Sequence, residues 1–362
     1  MGSRSGVDRR SWPPTGPWPR APLSSTSICS LGRSIRISSP ASARATRCSA
    51  TSARTSSFET SPVVSGCRST AVTSALARTG VIRPDPKDPS PLRIDEVLVR
   101  KMLVLFIRDE TTKARLRRAV VGVSGGVDSA VTVALATEAL GPENVLGLFT
   151  PYRISSGDSR DHAQQLSEKF GFPLEEVPIT EQVDAYFRAP KEKVDRVRIG
   201  NKMARERKSI EYDRSWPDGI VLGTSNKTEL LLGYGTQFGD MACGINPVGD
   251  LYKTQLRELA LSIGIPEAIV RKPPTAELWE GQTDEGELGF TYPDADLILY
   301  HMVDRRLRPS ELIEHGFDAQ LVTRIRELVR RNHYKRVMPL IAKLSLRTVG
   351  HDFLYPRDWE AD

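Results

Sequence analysis

Cysteine is scarce in this chain, with four in 362 residues. Cys29, Cys48 and Cys67 fall in the first 80 positions, and only Cys243 lies beyond them. No two have the spacing of a metal-binding pair, and one cysteine in the body predicts a reducing compartment without disulfides. Long apolar runs are missing too: none approaches the ~20 residues that a membrane span needs. The GxxxxGK[ST] loop that grips a γ-phosphate is absent. Residues 1–80 have no lysine, but they hold 11 Arg against two acids, Asp8 and Glu59. That stretch accounts for the net charge of +6, because the other 282 residues carry 40 basic and 43 acidic groups. The basicity therefore belongs to the tail, and the body shows no nucleic-acid footprint. These absences predict a soluble cytoplasmic protein with neither a membrane nor a nucleic-acid partner.

Residues 1 to about 90 are rich in Ser, Arg, Thr, Ala and Pro, with 19 Ser in the first 80 positions. They show no helical or strand periodicity and hold too little apolar surface to offset chain entropy. A transit peptide shares the composition, but its amphipathic helix conflicts with the many prolines. A nucleic-acid arm would mix Lys with Arg and space aromatic residues for stacking. A disordered extension, a translated stretch upstream of the true start included, fits the composition most simply. The proline-broken "RPDPKDPSPLR" (83–93) closes this segment. The expected organisation is a disordered extension over 1–90 and one folded domain over 91–362.

From residue 94 the pattern turns globular. In "IDEVLVRKMLVLFIRDE" (94–110), Val97, Leu98, Met102, Leu105 and Phe106 recur at helical spacing. Strand and helix signals then alternate. Strands are expected at 119–123, 144–151, 174–179 and 219–224, and helices at 127–140, 159–171 (ending on a C′ glycine) and around 192–211. Strands separated by such helices imply right-handed crossovers and an α/β, Rossmann-like fold with a doubly wound parallel sheet. Its site should lie at the carboxyl ends of the strands. Beyond 250 the chain reads as helical.

The stretch "GVSGGVDSA" (122–130) sits between the first strand and its helix. Gly122, Gly125 and Gly126 leave backbone N–H groups bare, Ser124 and Ser129 add hydroxyls, and Asp128 can hold a hard cation. With Val123 and Val127 these residues make a loop that aims a helix N-terminus at an anion. A plain alternative is a turn with Ser124 as N-cap. The loop resembles the SGGxDS pyrophosphate loop of the ATP pyrophosphatases, the adenine nucleotide alpha-hydrolase-like enzymes, which cleave ATP between its α and β phosphates. The stretch 221–290 resembles the NAD synthetase family over nearly its whole length, as does "GNKMARER" (200–207); the likeness covers about 94–355.

In that family the nicotinic carboxylate of deamido-NAD⁺ is adenylated by ATP, and ammonia then displaces AMP to give the amide. The resemblance implies Mg²⁺ on Asp128 and Glu229, although "NKTE" from Asn226 also reads as a capping box. It implies ATP contacts at Thr224, Lys253 and Thr275, as well as in the loop. A lysine opening the helix at 251–263 stands at the end least favourable for a cation, which speaks for a functional role. It further implies deamido-NAD⁺ contacts at Arg205 and at Lys335, whose family counterpart reaches across a homodimer. Arg205 also reads as part of a solvated face with Arg207 and Lys208. The stretch 276–289 reads as a lid that shuts out water, or else as a long acidic surface loop.

Departures fall in the dinucleotide pocket. Gln237 and Gly244 stand where many members have Lys and Asp, and Tyr334 stands where a His is usual. Asp240 remains as a carboxylate that could orient ammonia or the pyridinium. Glutamine-using members carry an extra nitrilase-like domain, for which the first 90 residues are too few. The expectation is therefore free ammonia, or ammonia from a partner subunit. Two rivals stay open: a tRNA-modifying pyrophosphatase with a basic arm, and a nucleotide-binding regulator without turnover.

Overall fold

The apolar runs of β1, β2 and β4 become buried strands of a parallel sheet, whereas the edge strand β3 is polar and partly exposed. A computed structural model describes residues 84–188, 194–275, 277–279 and 281–350. Strands β1 (Arg118–Gly122), β2 (Val145–Phe149), β3 (Leu174–Glu176) and β4 (Gly219–Val221) form one parallel sheet in the order β3-β2-β1-β4. β1 is central, with Val120 opposite Leu146 on one side and Val221 on the other. The chain runs outward from β1 to β2 and β3, then returns to place β4 on the far side of β1. That reversal is a topological switch point, where such sheets open a crevice at their carboxyl ends.

The strand expectations hold, with shorter ladders. β3 stops before Pro178, which has no N–H to donate, although Val177 and Ile179 still donate to the carbonyls of Phe149 and Pro151 at 2.9 Å each. Beyond β4, Leu222 bridges to Ile245, so the chain stays extended toward Thr224. Helix α2 (Val127–Leu140) matches its expected bounds. Helix α3 (Gly157–Phe170) ends on Gly171 at φ +77°, the left-handed cap expected of a C′ glycine. An eight-residue helix, α4 (Thr180–Phe187), was not anticipated; it has no side-chain cap to announce it. Helix α5 spans Arg196–Ser215, α6 Lys227–Leu232, α7 Lys253–Ser262, α8 Glu267–Arg271, α9 Asp284–Leu288, α10 Tyr292–Leu299, α11 Pro309–Glu314 and α12 Ala319–Arg331. Among the described residues none of these helices is long and apolar enough to cross a membrane.

Three apolar clusters hold the layers. The largest joins β1 and the length of α2 to Ala163 and Leu166 of α3 and to Leu256 and Leu259 of α7. On α5, Met203 packs with Tyr152, Ile179 and Val183 in a second cluster. The C-terminal helices gather a third around Tyr252, Tyr292, Leu299 and Ile325.

The opening helix α1 (Glu96–Lys113) is present, but it faces the other way. Val104, Ile107 and Thr111 are its buried residues, while Val97, Leu98, Met102, Leu105 and Phe106 are exposed. The inward stripe is narrow and includes a threonine whose hydroxyl is satisfied by the Ile107 carbonyl at 2.7 Å. The proposed extension over 1–90 lies outside the described residues up to 83. Residues 84–92, by contrast, carry turns and a 3₁₀ helix (Ser90–Leu92), with Leu92 buried in the C-terminal cluster.

Leu135 lies at the middle of α2 and is fully buried. Leu135→Ala should lower stability by about 2–5 kcal/mol, measured as a shift of the urea unfolding midpoint at unchanged slope.

Candidate active site

At the carboxyl ends of β1 and β4 the crevice is a cavity of about 450 Å³. Its floor is the glycine loop. Val123 continues the sheet by donating to Leu148 O at 2.8 Å, after which the backbone turns. Gly125 sits at φ +74°, and a Cβ there would come 2.5 Å from the Ser159 carbonyl oxygen. Only glycine fits both constraints. At Gly122 a Cβ would meet Glu211 Oε1 at 2.5 Å.

The helix after the loop begins without a side-chain cap. Its N-cap is Gly126, not Ser124. The Ser124 hydroxyl instead accepts weakly from Gly126 N at 3.3 Å, and Ser129 Oγ accepts from Ser124 N at 3.2 Å and donates to Gly126 O at 3.0 Å. The serines brace the loop, and the first-turn N–H groups of an uncapped helix are available to an anion.

Lys253 stands at the centre of the site. It is the first residue of α7 and is 2 % exposed. Its Nζ donates to Asp128 Oδ2 at 2.5 Å and to Glu229 Oε1 at 3.1 Å. Asn226 joins the two carboxylates: its Nδ2 donates to Asp128 Oδ1 at 2.8 Å, and its Oδ1 accepts from Glu229 N at 3.0 Å. The capping box read from "NKTE" is present, since Glu229 Oε2 accepts from Asn226 N at 3.3 Å. Glu229 therefore serves the helix start with one oxygen and Lys253 with the other.

Burial shapes the titration of this group. It pushes the Glu229 carboxyl up to about 8; the nearby Asp128 adds to the rise and Lys253 opposes it. Burial alone would lower the Lys253 ammonium, but Asp128 and Glu229 outweigh it and hold the ammonium above its usual range. Two carboxylates share one cation, and the group is short of positive charge.

The expected residues separate into two sets. Gly122, Val123, Ser124, Gly126, Val127, Asp128, Ser129, Thr224, Glu229, Asp240, Lys253, Thr275 and Lys335 all line the cavity. Gly125 shapes the loop from behind. Arg205 is exposed and turned away, its Nε donating to the Gln237 carbonyl at 3.3 Å. Neither Gln237 nor Gly244 is in the lining; Gly244 donates to Val221 O at 2.8 Å and lies against Ile220. Tyr334 is 56 % exposed and outside the cavity. Lys335 enters the cavity of its own chain, where Nζ donates to the carbonyls of Gly233 and Gly235 at 2.8 Å each. Asp240 Oδ1 accepts from Thr236 N at 2.8 Å.

On α5 the residues read as a solvated face turn inward. Arg207 lines the cavity and donates to Thr150 O at 3.0 Å, at the end of β2. Lys208 forms a buried pair with Glu211 at 2.6 Å. The segment read as a lid or a surface loop is a wall of the cavity: Glu277, Leu278, Trp279, Gln282, Asp284 and Glu287 line it. Glu277 Oε1 accepts from Ser156 Oγ at 2.8 Å, Ser159 Oγ at 2.5 Å and Lys272 Nζ at 3.2 Å. Sequence reasoning passed over Lys272 and Asp296. The signal for Asp296 was an acid in the otherwise apolar "ADLIL" (295–299).

Comparison with known proteins agrees with this geometry. Residues 99–339 match the NAD synthase family. The chain is 52 % identical to the NH(3)-dependent NAD(+) synthetase of Chlorobaculum tepidum over 273 residues, 75 % of this chain and 98 % of that protein. It is 51 % identical to that of Trichlorobacter lovleyi, over 75 % of this chain and 99 % of the other. Among solved structures, the NH3-dependent NAD synthetase of Campylobacter jejuni superposes with a TM-score of 0.60 at 31 % identity, over 69 % of this chain and all (100 %) of that one. The NMN synthetase of Francisella tularensis gives 0.61 at 30 % identity, over 69 % and 99 %. The matched span contains the glycine loop, the Asp128–Lys253–Glu229 cluster and the cavity wall, and the chain belongs to the NAD synthase family.

Proposed function

We propose that the chain makes NAD⁺ in the cytoplasm by ATP-dependent amidation of deamido-NAD⁺ with ammonia, releasing AMP and pyrophosphate. The observation that carries this reading is Lys253, buried between Asp128 and Glu229 beside an uncapped glycine loop. The loop N–H groups, Ser124 and Ser129 cradle the β and γ phosphates. Lys253 neutralises charge as the nicotinate carboxylate oxygen bonds to the α-phosphorus and pyrophosphate departs. Thr224 and Thr275 contact ATP, and Asp240 orients ammonia, whose nitrogen bonds to the acyl carbon as AMP leaves. The wall at 277–287 excludes water from the acyl adenylate. Lys335 faces the dinucleotide inside the cavity, whereas Arg205, Gln237, Gly244 and Tyr334 meet it only beyond the mouth.

Among the described residues no three His, Cys, Asp or Glu side chains converge as a metal cage. The pair Asp128 and Glu229 fits a hard cation that arrives with phosphate oxygens, as Mg²⁺ does. The carboxyl of Glu229, pushed up to about 8, marks a site short of positive charge. Mg²⁺ bound there supplies charge neutralisation on the phosphates.

The exposed apolar face of α1, with Val97, Leu98, Met102, Leu105 and Phe106, supports a homodimer with this face at the interface. The folded domain over 91–362 does not depend on the extension in this reading.

The deciding experiment supplies ATP, Mg²⁺ and ammonium with either deamido-NAD⁺ or nicotinic acid mononucleotide. NAD⁺, AMP and pyrophosphate should form in equal amounts with deamido-NAD⁺; turnover of the mononucleotide alone would overturn the dinucleotide assignment. Lys253→Gln should lower kcat by about 10²–10³-fold in the same assay. Asp128→Asn should raise the Mg²⁺ concentration for half-maximal rate, and a chelator should stop turnover of the parent enzyme. Sedimentation velocity should find a dimer, which the pair Met102→Glu and Leu105→Glu converts to a monomer without loss of helix signal in circular dichroism.

A further inference from the structure

The cation at the centre of the site is in an awkward place. Lys253 opens a helix, where the macrodipole repels positive charge, and the ammonium is removed from water. Asp128 and Glu229 account for its Nζ, but not for the position of its backbone. That backbone is held from the opposite side by a residue that never meets the cavity.

Asp296, on α10, is fully buried. Its Oδ2 accepts from both the backbone N and the hydroxyl of Thr254, each at 2.8 Å. Its Oδ1 accepts from the hydroxyl of Thr228. The same Thr228 oxygen accepts from Lys253 N at 3.0 Å. Asp296 thus satisfies two first-turn donors of α7, one directly and one through Thr228. It is the anion that a helix start prefers, supplied by a different helix. Thr228 directly precedes Glu229. One carboxylate therefore sets the distance between the backbone carrying the cation and the backbone carrying one of its two acceptors.

We infer that Asp296 is a positioning residue, which clamps the starts of α6 and α7 so that the Lys253 ammonium stays between Asp128 and Glu229. It touches no reactant and acts only through Lys253, so the inference rests on the phosphate role proposed for that lysine. Asp296→Asn keeps size and shape but turns one acceptor into a donor. With Nδ2 toward Thr254 the Thr254 N–H loses its acceptor. With Nδ2 toward Thr228 the hydroxyl must accept where it now donates, leaving its proton without that partner; either way the first turn of α7 can shift. Near-attack geometry tolerates little displacement: about 1 Å of misplacement can cost 10²-fold.

The test is a double-mutant cycle in the full chain, with kcat, KM for deamido-NAD⁺ and melting temperature followed together. Asp296→Asn should lower kcat by about tenfold or more while KM for deamido-NAD⁺ stays within about twofold. In the Lys253→Gln background, assayed at high enzyme concentration, the same substitution should change the residual rate by less than about twofold. Thr254→Val removes one of the clamp's donors more gently; it should lower kcat by a few-fold and show the same loss of effect beside Lys253→Gln. If Asp296→Asn does not fold, the Thr254→Val cycle decides. Equal losses in both backgrounds, or a fall in melting temperature with kcat unchanged, would make Asp296 a purely structural residue and overturn the inference. Should Lys253→Gln itself turn over at the parent rate, the phosphate role of Lys253 fails and the positioning role falls with it. Should its turnover be undetectable, a drop in kcat at constant KM for Asp296→Asn supports the inference, and its absence overturns it.

Discussion

The fold brings a buried ammonium against two carboxylates, and much of its architecture around the cavity follows from that. Breaking a buried ion pair by removing one partner is costly, because it strands the other charge away from water. Lys253, Asp128 and Glu229 lie on three different helix starts, so none can move without leaving a charge unmatched. Asn226 bonds both acids, and Asp296 anchors the lysine's own helix. The result is a rigid group in which two carboxyl groups share one ammonium, and burial pushes the Glu229 carboxyl up to about 8. Under the proposed function, the cation that completes this group is one that arrives with polyphosphate oxygens.

The sheet topology explains why these helix starts converge. β1 and β4 are neighbours in space although a hundred residues apart, and each feeds a helix across the switch point. The loop after β1 brings bare N–H groups and Asp128; the segment after β4 brings Thr224, Asn226 and Glu229. A parallel sheet makes all of these point the same way. Alternating apolar runs were therefore enough to predict where the crevice would be, and "GVSGGVDSA" was enough to predict that an uncapped helix start would line it. Glycines that shape a loop carry their reason in their missing Cβ, and Gly125, at positive φ and against the Ser159 carbonyl, is closed to other residues.

Helix orientation was less legible. On α1 the larger apolar residues face out and a narrow stripe of Val104, Ile107 and Thr111 faces in. Apolar periodicity identifies a face but does not say whether it meets the core or a second surface. On α5 a run of basic residues hid a similar choice. Arg205 was the resemblance-based candidate, yet Arg207 and Lys208 are the cations turned inward, two and three positions further round the helix. Charges on a helix carry no direction until their acceptors are known, and those acceptors, the Thr150 carbonyl and Glu211, are set by tertiary packing. Gln237 and Gly244 were placed in the pocket by correspondence alone; in the fold neither is in the lining of the cavity.

The cavity wall at 277–287 shows how a polar sequence can read as surface and still be structure. Two of its acids have fixed partners: Glu277 with two serines and Lys272, and Asp284 with the hydroxyls of Tyr234 and Tyr292 at 3.1 and 3.0 Å. Asp284 is buried, and its carboxyl is raised by that burial, with Lys253 pulling the other way. The wall is therefore coupled electrostatically to the central cation as well as packed against the cavity. Charge delivered to Asp128 and Glu229 is felt at Asp284 too, because low-dielectric surroundings screen it little. Asp284, Lys253, Asp128 and Glu229 thus form one electrostatically linked set of buried charges across the cavity.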